Sequence, residues 1–191
     1  SYASSLFAGA DRHFHFILGN YYEPSKVQFG LLRLDQTPRP SYVAMAAIGR
    51  FLAGATCLGR WNLTGQPDAQ VYAFRAEPDG KARDVLVAWA EKPGDWSQRG
   101  KTTVPWSLPR AVAVDRVYDY LGRLLESGVP ERLQSTPVFV LLRSGDASEL
   151  SLESPPRRSE HRPGEICPVV LQLHMPGSTS VDVEQIAWAS D

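Results

Sequence analysis

Two imidazoles, two phenols, an amide and a carboxylate fall inside the short stretch HFHFILGNYYE, His13 to Glu23. His13 and His15 alternate, so on a strand they share one face. Two imidazoles so placed could contribute to a metal site, but no third ligand lies nearby in the sequence. The competing reading is a pair of polar residues held by hydrogen bonds. Asn20 and Glu23 bring hydrogen-bonding groups, and Tyr21 and Tyr22 bring rings with an apolar face and a polar tip. Such a set suits binding rather than bond-making, because Glu23 has no second carboxylate beside it; a solvated loop is the alternative. Trp96 and Trp106 flank a polar loop and read either as an exposed aromatic platform or as core. Asp115, Asp119 and Asp146 lack the spacing of a calcium loop. The chain has no GxSxG, P-loop, CxxC or HExxH pattern, which counts against a serine hydrolase, an NTPase and a zinc protease. No catalytic residue, metal ligand or cofactor is assigned.

The elements that must position these residues follow from periodicity. Residues 1–12 read as the end of a helix stopped by Gly9-Ala10-Asp11. Residues 14–18 are almost wholly apolar, as in a strand covered on both faces. After a polar loop, a short apolar strand and a proline-punctuated turn, a helix is expected to open at Ser41, a favoured N-cap residue. Met45, Ile48, Gly49 and Leu52 form its expected apolar stripe. One strand and one helix cannot bury themselves.

Beyond Ala55 helical periodicity stops. Strands are expected near residues 57–63, 71–77, 83–91, 101–106, 112–120, 123–126 and 138–142. Asp79-Gly80 is a hairpin signal and Leu121-Gly122 a weaker one. Short strands at this spacing argue for an antiparallel sandwich. Residues 84–91 are apolar on both alternating faces, with Val85, Val87 and Trp89 on one and Leu86, Ala88 and Ala90 on the other. That predicts a central strand covered twice. Residues 154–164 read as a proline-rich linker, followed by strands over 167–175 and 181–188. These two either add to the sandwich or open another domain.

The string FGLLRLDQTPRPSYVAMAAIGRFLAGA resembles the end of the catalytic barrel in clan-A glycoside hydrolases, retaining glycosidases built on a (β/α)8 barrel. The matching residues are Phe29, Gly30, Leu31, Leu32, Asp35, Thr37, Pro38, Pro40, Tyr42 and Ala44. VYDYLGRLLE and TPVFVLL are similar to parts of the β-sandwich that often follows that barrel. The resemblance covers about the first 145 residues, within the usual uncertainty of element boundaries. It implies a mixed fold: the terminal β/α unit of a truncated (β/α)8 barrel over residues 1–55, then a mostly antiparallel β-sandwich over 56–145. Residues 146–191 would then be a linker and two further strands.

A whole barrel needs about 250 residues, more than the 191 present. The resemblance therefore implies the C-terminal part of such an enzyme, with the acid/base and nucleophile glutamates on earlier strands that are absent here. Retaining hydrolysis needs two carboxyl groups about 5–5.5 Å apart, so catalysis by this chain alone is not expected. In this setting His15, Asn20, Tyr21, Tyr22 and Glu23 lie at or after the C-terminal end of the last barrel strand, where barrels place their active sites. They become the candidate substrate-binding residues, for sugar stacking and hydroxyl hydrogen bonds. The family commonly carries Trp on that strand; this chain has Phe14, His15 and Phe16 instead.

Composition bounds the partners. Twenty Lys+Arg against 21 Asp+Glu give a net charge of −1, with no general attraction to nucleic acid or anionic membranes. No apolar run approaches the roughly 20 residues of a membrane span, and SYASSLFAGA lacks the pattern of a signal peptide. Cys57 and Cys167 could pair only if the fold brings them together and otherwise read as free buried thiols, and Asn62-Leu63-Thr64 is a formal glycosylation triplet. The expected partners are carbohydrate and the missing N-terminal part of the barrel, in a secreted or cell-surface protein. A non-catalytic carbohydrate-binding module and a structural β-domain of an extracellular assembly are the other readings.

Overall fold

The computed structural model describes residues 2–10, 13–22, 28–92 and 100–156, with residues 172–173 and 181–182 further on. In chain order the elements are α1 (Tyr2–Phe7), β1 (Tyr21–Tyr22), β2 (Gln28–Phe29), α2 (Pro40–Leu52), β3 (Thr56–Trp61), β4 (Ala69–Ala76), β5 (Arg83–Ala90), β6 (Val104–Pro105), β7 (Val114–Asp119), β8 (Arg132–Leu133), β9 (Val138–Arg143), β10 (Leu152–Glu153), β11 (Gln172–Leu173) and β12 (Val181–Asp182). Residues 1–156 form one compact unit and 157–191 another. In the second, β11 and β12 pair antiparallel. Most of the expected linker and of the two expected C-terminal strands lies outside the described residues.

The first unit is mostly β. Its main sheet is antiparallel, with strand order β10-β3-β4-β5-β9-β7. The β4–β5 hairpin turns where the Asp-Gly signal stands, with Asp79 at φ 57° and Gly80 at φ 73°. Both lie in the left-handed region, which Gly occupies without strain and Asp tolerates better than most residues. A second, weaker reversal brings Tyr118 opposite Leu124 around Gly122. Gly59 sits where the β3–β4 register shifts. A Cβ there would stand 2.5 Å from the Glu153 carbonyl oxygen, so only glycine lets β10 pair alongside.

Strand β5 has no polar face to offer water. Val85, Val87 and Trp89 join Phe74, Tyr118, Phe139 and Leu141 in a cluster closed by Ala47, Phe51 and Leu52 of α2 and Ala3 of α1. Leu86, Ala88 and Ala90 join Val71, Val117, Val140 and Leu142 in a second cluster, closed by Val104, Trp106 and Leu133. The two-residue sheet of β6 and β8 and its flanking loops supply that second cover. The layers are thus helices, six-stranded sheet and a smaller β layer, compatible with a sandwich; among the described residues there is no barrel unit. Trp106 belongs to this core, its Nε1 donating to Pro130 O at 2.7 Å.

Four sequence expectations are corrected. Residues 14–18 form no strand: Phe14 is 84% and Phe16 68% exposed, and the Ile17 and Leu18 carbonyls accept from Leu31 and Leu32 without forming a regular ladder. Helix α2 starts at Pro40 rather than being capped by Ser41, since proline has no N–H to lose in the first turn and its φ suits a helix. Its buried residues are Ala47, Phe51 and Leu52, with Ile48 half-buried and Gly49 exposed, so Phe51 leads the contact face. Residues 123–126 contribute one isolated bridge, and β8 and β10 were not foreseen. Helix α1 ends as expected: Ala10 N donates to Ser5 O (3.0 Å) and Gly9 N to Leu6 O (3.1 Å), a Schellman closure with Gly9 at φ 89°.

One buried carboxylate interrupts the apolar sheet. Asp84 is fully buried, accepts from Arg75 Nε at 2.9 Å, and takes the Gly145 and Ala147 N–H groups on Oδ2 at 2.8 and 3.0 Å. Removing it leaves Arg75 and two backbone donors without their acceptor. Asp84→Ala is expected to cost about 1–3 kcal/mol, the penalty of leaving the buried Ala147 N–H without an acceptor while half-exposed Arg75 turns to water, measured as a fall in the urea midpoint. Phe51 stacks near Phe139 (4.7 Å) and Tyr118 (4.9 Å) with no exposed surface. Phe51→Ala is expected to lose about 3–5 kcal/mol in the same assay.

Candidate functional site

The segment between the exposed aromatics and α2 is a self-bonded bracket. Gly30 has φ 108°, and a Cβ there would overlap the Gly19 carbonyl oxygen. That close approach lets Leu31 N donate to Ile17 O and Leu32 N to Leu18 O, at 3.1 and 3.0 Å. The chain then doubles back: Arg33 N reaches Thr37 O (2.8 Å), Arg39 N reaches Leu31 O (2.9 Å), and Leu32 bridges Pro38.

Side chains lock the turn. Asp35 Oδ1 accepts from Thr37 N (3.0 Å) and from the Thr37 hydroxyl (2.7 Å). An Asp bonding the backbone two residues on is an Asx turn. Arg33 Nη1 donates to Thr37 Oγ1 (3.2 Å) and Pro38 O (2.6 Å). Arg39 spans backwards, with Nε on Leu32 O and Nη2 on Asn20 Oδ1, each 3.1 Å. The Asp-x-Thr-Pro-x-Pro motif is therefore a structural device that delivers Pro40 to the first turn of α2.

The sequence-derived site residues are brought close in part. His15 is exposed and lines a groove of ≈ 350 Å³ with Leu18, Leu31, Tyr42, Met45 and Ala46. Asn20 is half-buried, its Oδ1 shared by Gln28 Nε2 (2.7 Å) and Arg39. Tyr21 and Tyr22 pair with Phe29 and Gln28 across β1–β2 and remain 44% and 61% exposed. Phe16 meets Tyr21 edge-on at 6.2 Å. Glu23 and Trp96 lie outside the described residues. His13 has partners of its own: its ring sits 3.9 Å from that of Tyr2, and Nδ1 lies 3.2 Å from Ser5 Oγ.

The three aspartates without calcium spacing have local roles. Asp119 binds Arg123, Asp115 pairs with Arg83, and Asp146 accepts from Ala113 N. Among the described residues no group of three His, Cys, Asp or Glu could hold a metal, and no helix is long and apolar enough to cross a membrane. Cys57 is a half-buried free thiol whose pKa burial pushes up.

Sequence reasoning passed over a second groove, of ≈ 600 Å³, lined by Gln28, Arg33, Leu34, Asp35 and Arg39. Its signal was present as two arginines bracketing the Asp-x-Thr turn. Comparison of the chain with models of protein families, with curated proteins and with solved structures finds no match.

The hydrogen bonds of Thr37, hydroxyl first and backbone second, hold the Asp35 carboxyl below the usual aspartate range. A depressed folded pKa stabilises the ionised bracket above the unfolded value of about 3.9, and that contribution is lost as pH falls through the lowered folded value. A carboxyl-carbon NMR titration is expected to show Asp35 protonating below pH 3.9. Thr37→Val, which deletes the hydroxyl donor, should move it back up.

Proposed function

We propose that this chain is the C-terminal part of a retaining glycoside hydrolase. In this reading residues 1–55 close a (β/α)8 barrel begun by an upstream segment, and the β layers buttress it through α2. The parent is a secreted or cell-surface enzyme acting on oligo- or polysaccharide. The single observation that carries the reading is the exposure of Phe14, Phe16 and Leu18, at 84%, 68% and 55%. A run apolar but for His15, standing open beside exposed Tyr42, is a surface built to be covered. It immediately precedes the bracket whose residues resemble the end of a clan-A barrel. Neighbouring barrel strands would supply both the cover and the missing ladder.

His15, Asn20, Tyr21, Tyr22 and Glu23 would then lie on the substrate side, with the tyrosine rings offering stacking faces and Asn20 the two donors of its amide. The catalytic carboxylate pair would come from the upstream strands, and this chain would contribute substrate contacts. The exposure of Tyr21 and Tyr22 also favours a second reading, a carbohydrate-binding module without catalysis.

The test expresses the complete reading frame and the 191-residue chain side by side on aryl glycosides. The longer product should hydrolyse them with retention of anomeric configuration, followed by NMR, and the shorter one should show no turnover. Tyr22→Ala in the longer protein should raise KM with the fold intact, by roughly tenfold if the ring stacks on sugar. A reading frame that encodes no barrel, or hydrolysis with inversion, would overturn the enzyme reading. Sugar binding by the 191-residue chain without an encoded barrel would favour the module.

A further inference from the structure

The groove beside the bracket has a chemistry of its own. Both arginines that line it are held in place by neutral oxygens: a hydroxyl and a carbonyl for Arg33, a carbonyl and an amide for Arg39. Among the described residues neither forms an ion pair with a carboxylate, whereas Arg50, Arg75, Arg83 and Arg123 all do. Two hydrogen-bonded guanidinium groups share the groove lining with a single carboxylate, Asp35, whose Oδ1 is already used by Thr37 and whose charge Arg33 also attracts. The groove thus carries a net positive charge on preorganised forks, which match a planar carboxylate in two parallel hydrogen bonds. Leu34, 86% exposed on the wall, adds an apolar surface, and Gln28 adds an amide. A volume of ≈ 600 Å³ lies within the range of small-ligand sites.

We propose that this groove binds the carboxylate of an acidic sugar residue, a hexuronate, with Arg33 and Arg39 as the anion contacts and Leu34 against the C–H face of the ring. The proposal rests on the carbohydrate reading for its choice of ligand and narrows it to an anionic glycan.

Calorimetric titration of the 191-residue chain with trigalacturonate, a neutral galactotriose and tricarballylate tests it. Trigalacturonate should bind and weaken with rising salt, galactotriose should bind at least tenfold more weakly, and tricarballylate should do no better. Arg33→Gln should lower trigalacturonate affinity tenfold or more, in line with loss of a charge-assisted pair. Because Arg33 also braces the turn, Leu34→Glu is the second variant: it changes an exposed side chain and sets a negative charge in the groove. It should weaken trigalacturonate and leave the thermal midpoint unchanged. Equal binding of both trisaccharides, indifferent to the two variants, would overturn the acidic-sugar assignment while leaving the carbohydrate reading standing. Binding of tricarballylate alone, or of none of the three, would overturn it, and retention of activity on aryl glycosides by the longer protein would show independently whether the enzyme reading survives.

Discussion

A sheet that is apolar on both faces has to be covered twice, and the first compact unit is arranged to do so. The requirement is set by β5, where valines and tryptophan point one way and leucine and alanines the other, all of them buried. On one face the cover is α2, delivered by Phe51 onto Phe139 and Tyr118. On the other it is Trp106 and Leu133 with the short β6–β8 pair. Arg50 fastens the helix from outside, pairing with Asp79 at 3.0 Å in the β4–β5 turn while its guanidinium lies 5.3 Å over the Tyr118 ring. The exposed ion pair contributes little by itself; the buried rings beneath it carry the contact.

This packing gives the bracket before α2 a firm base. Arg39 ties the start of the helix to Asn20, and Gly30 presses the bracket against Gly19, so the loop carrying Tyr21 and Tyr22 is positioned relative to the helix by hydrogen bonds rather than by a core. The same construction leaves the aromatic run before it in the open. A chain that buries Phe51 completely while exposing Phe14 and Phe16 is divided between a finished interface and one that has no cover among the described residues.

What could be read in advance depended on whether the signal was local. Asp79-Gly80 dictates its own backbone geometry, and the turn at Gly9 closes α1 through bonds reaching three and five residues back, so both were legible. The alternation in β5 was legible because both of its faces are apolar. Residues 14–18 misled because composition reports a wish for burial and cannot supply a partner. Helix α2 misled in the same way: its stripe was assigned from spacing, but Phe51 fits the hollow between Tyr118 and Phe139, a fact of the sheet and not of the helix. Two-residue strands such as β8 and β10 carry no period to detect. At the site, Asn20, Tyr21 and Tyr22 stood out as polar and aromatic residues after an apolar run. Arg33 and Arg39 did not, since only the doubling back of the bracket brings them onto one groove.

The central proposal is that residues 14–18, which form no strand in this unit, become a covered strand in the longer product. Hydrogen exchange at their backbone amides, followed by mass spectrometry in the 191-residue chain and in the product of the complete reading frame, tests it most directly. The account predicts rapid exchange in the shorter chain and strong protection in the longer one. Rapid exchange in both would mean that no barrel strand pairs with this segment, and would contradict it.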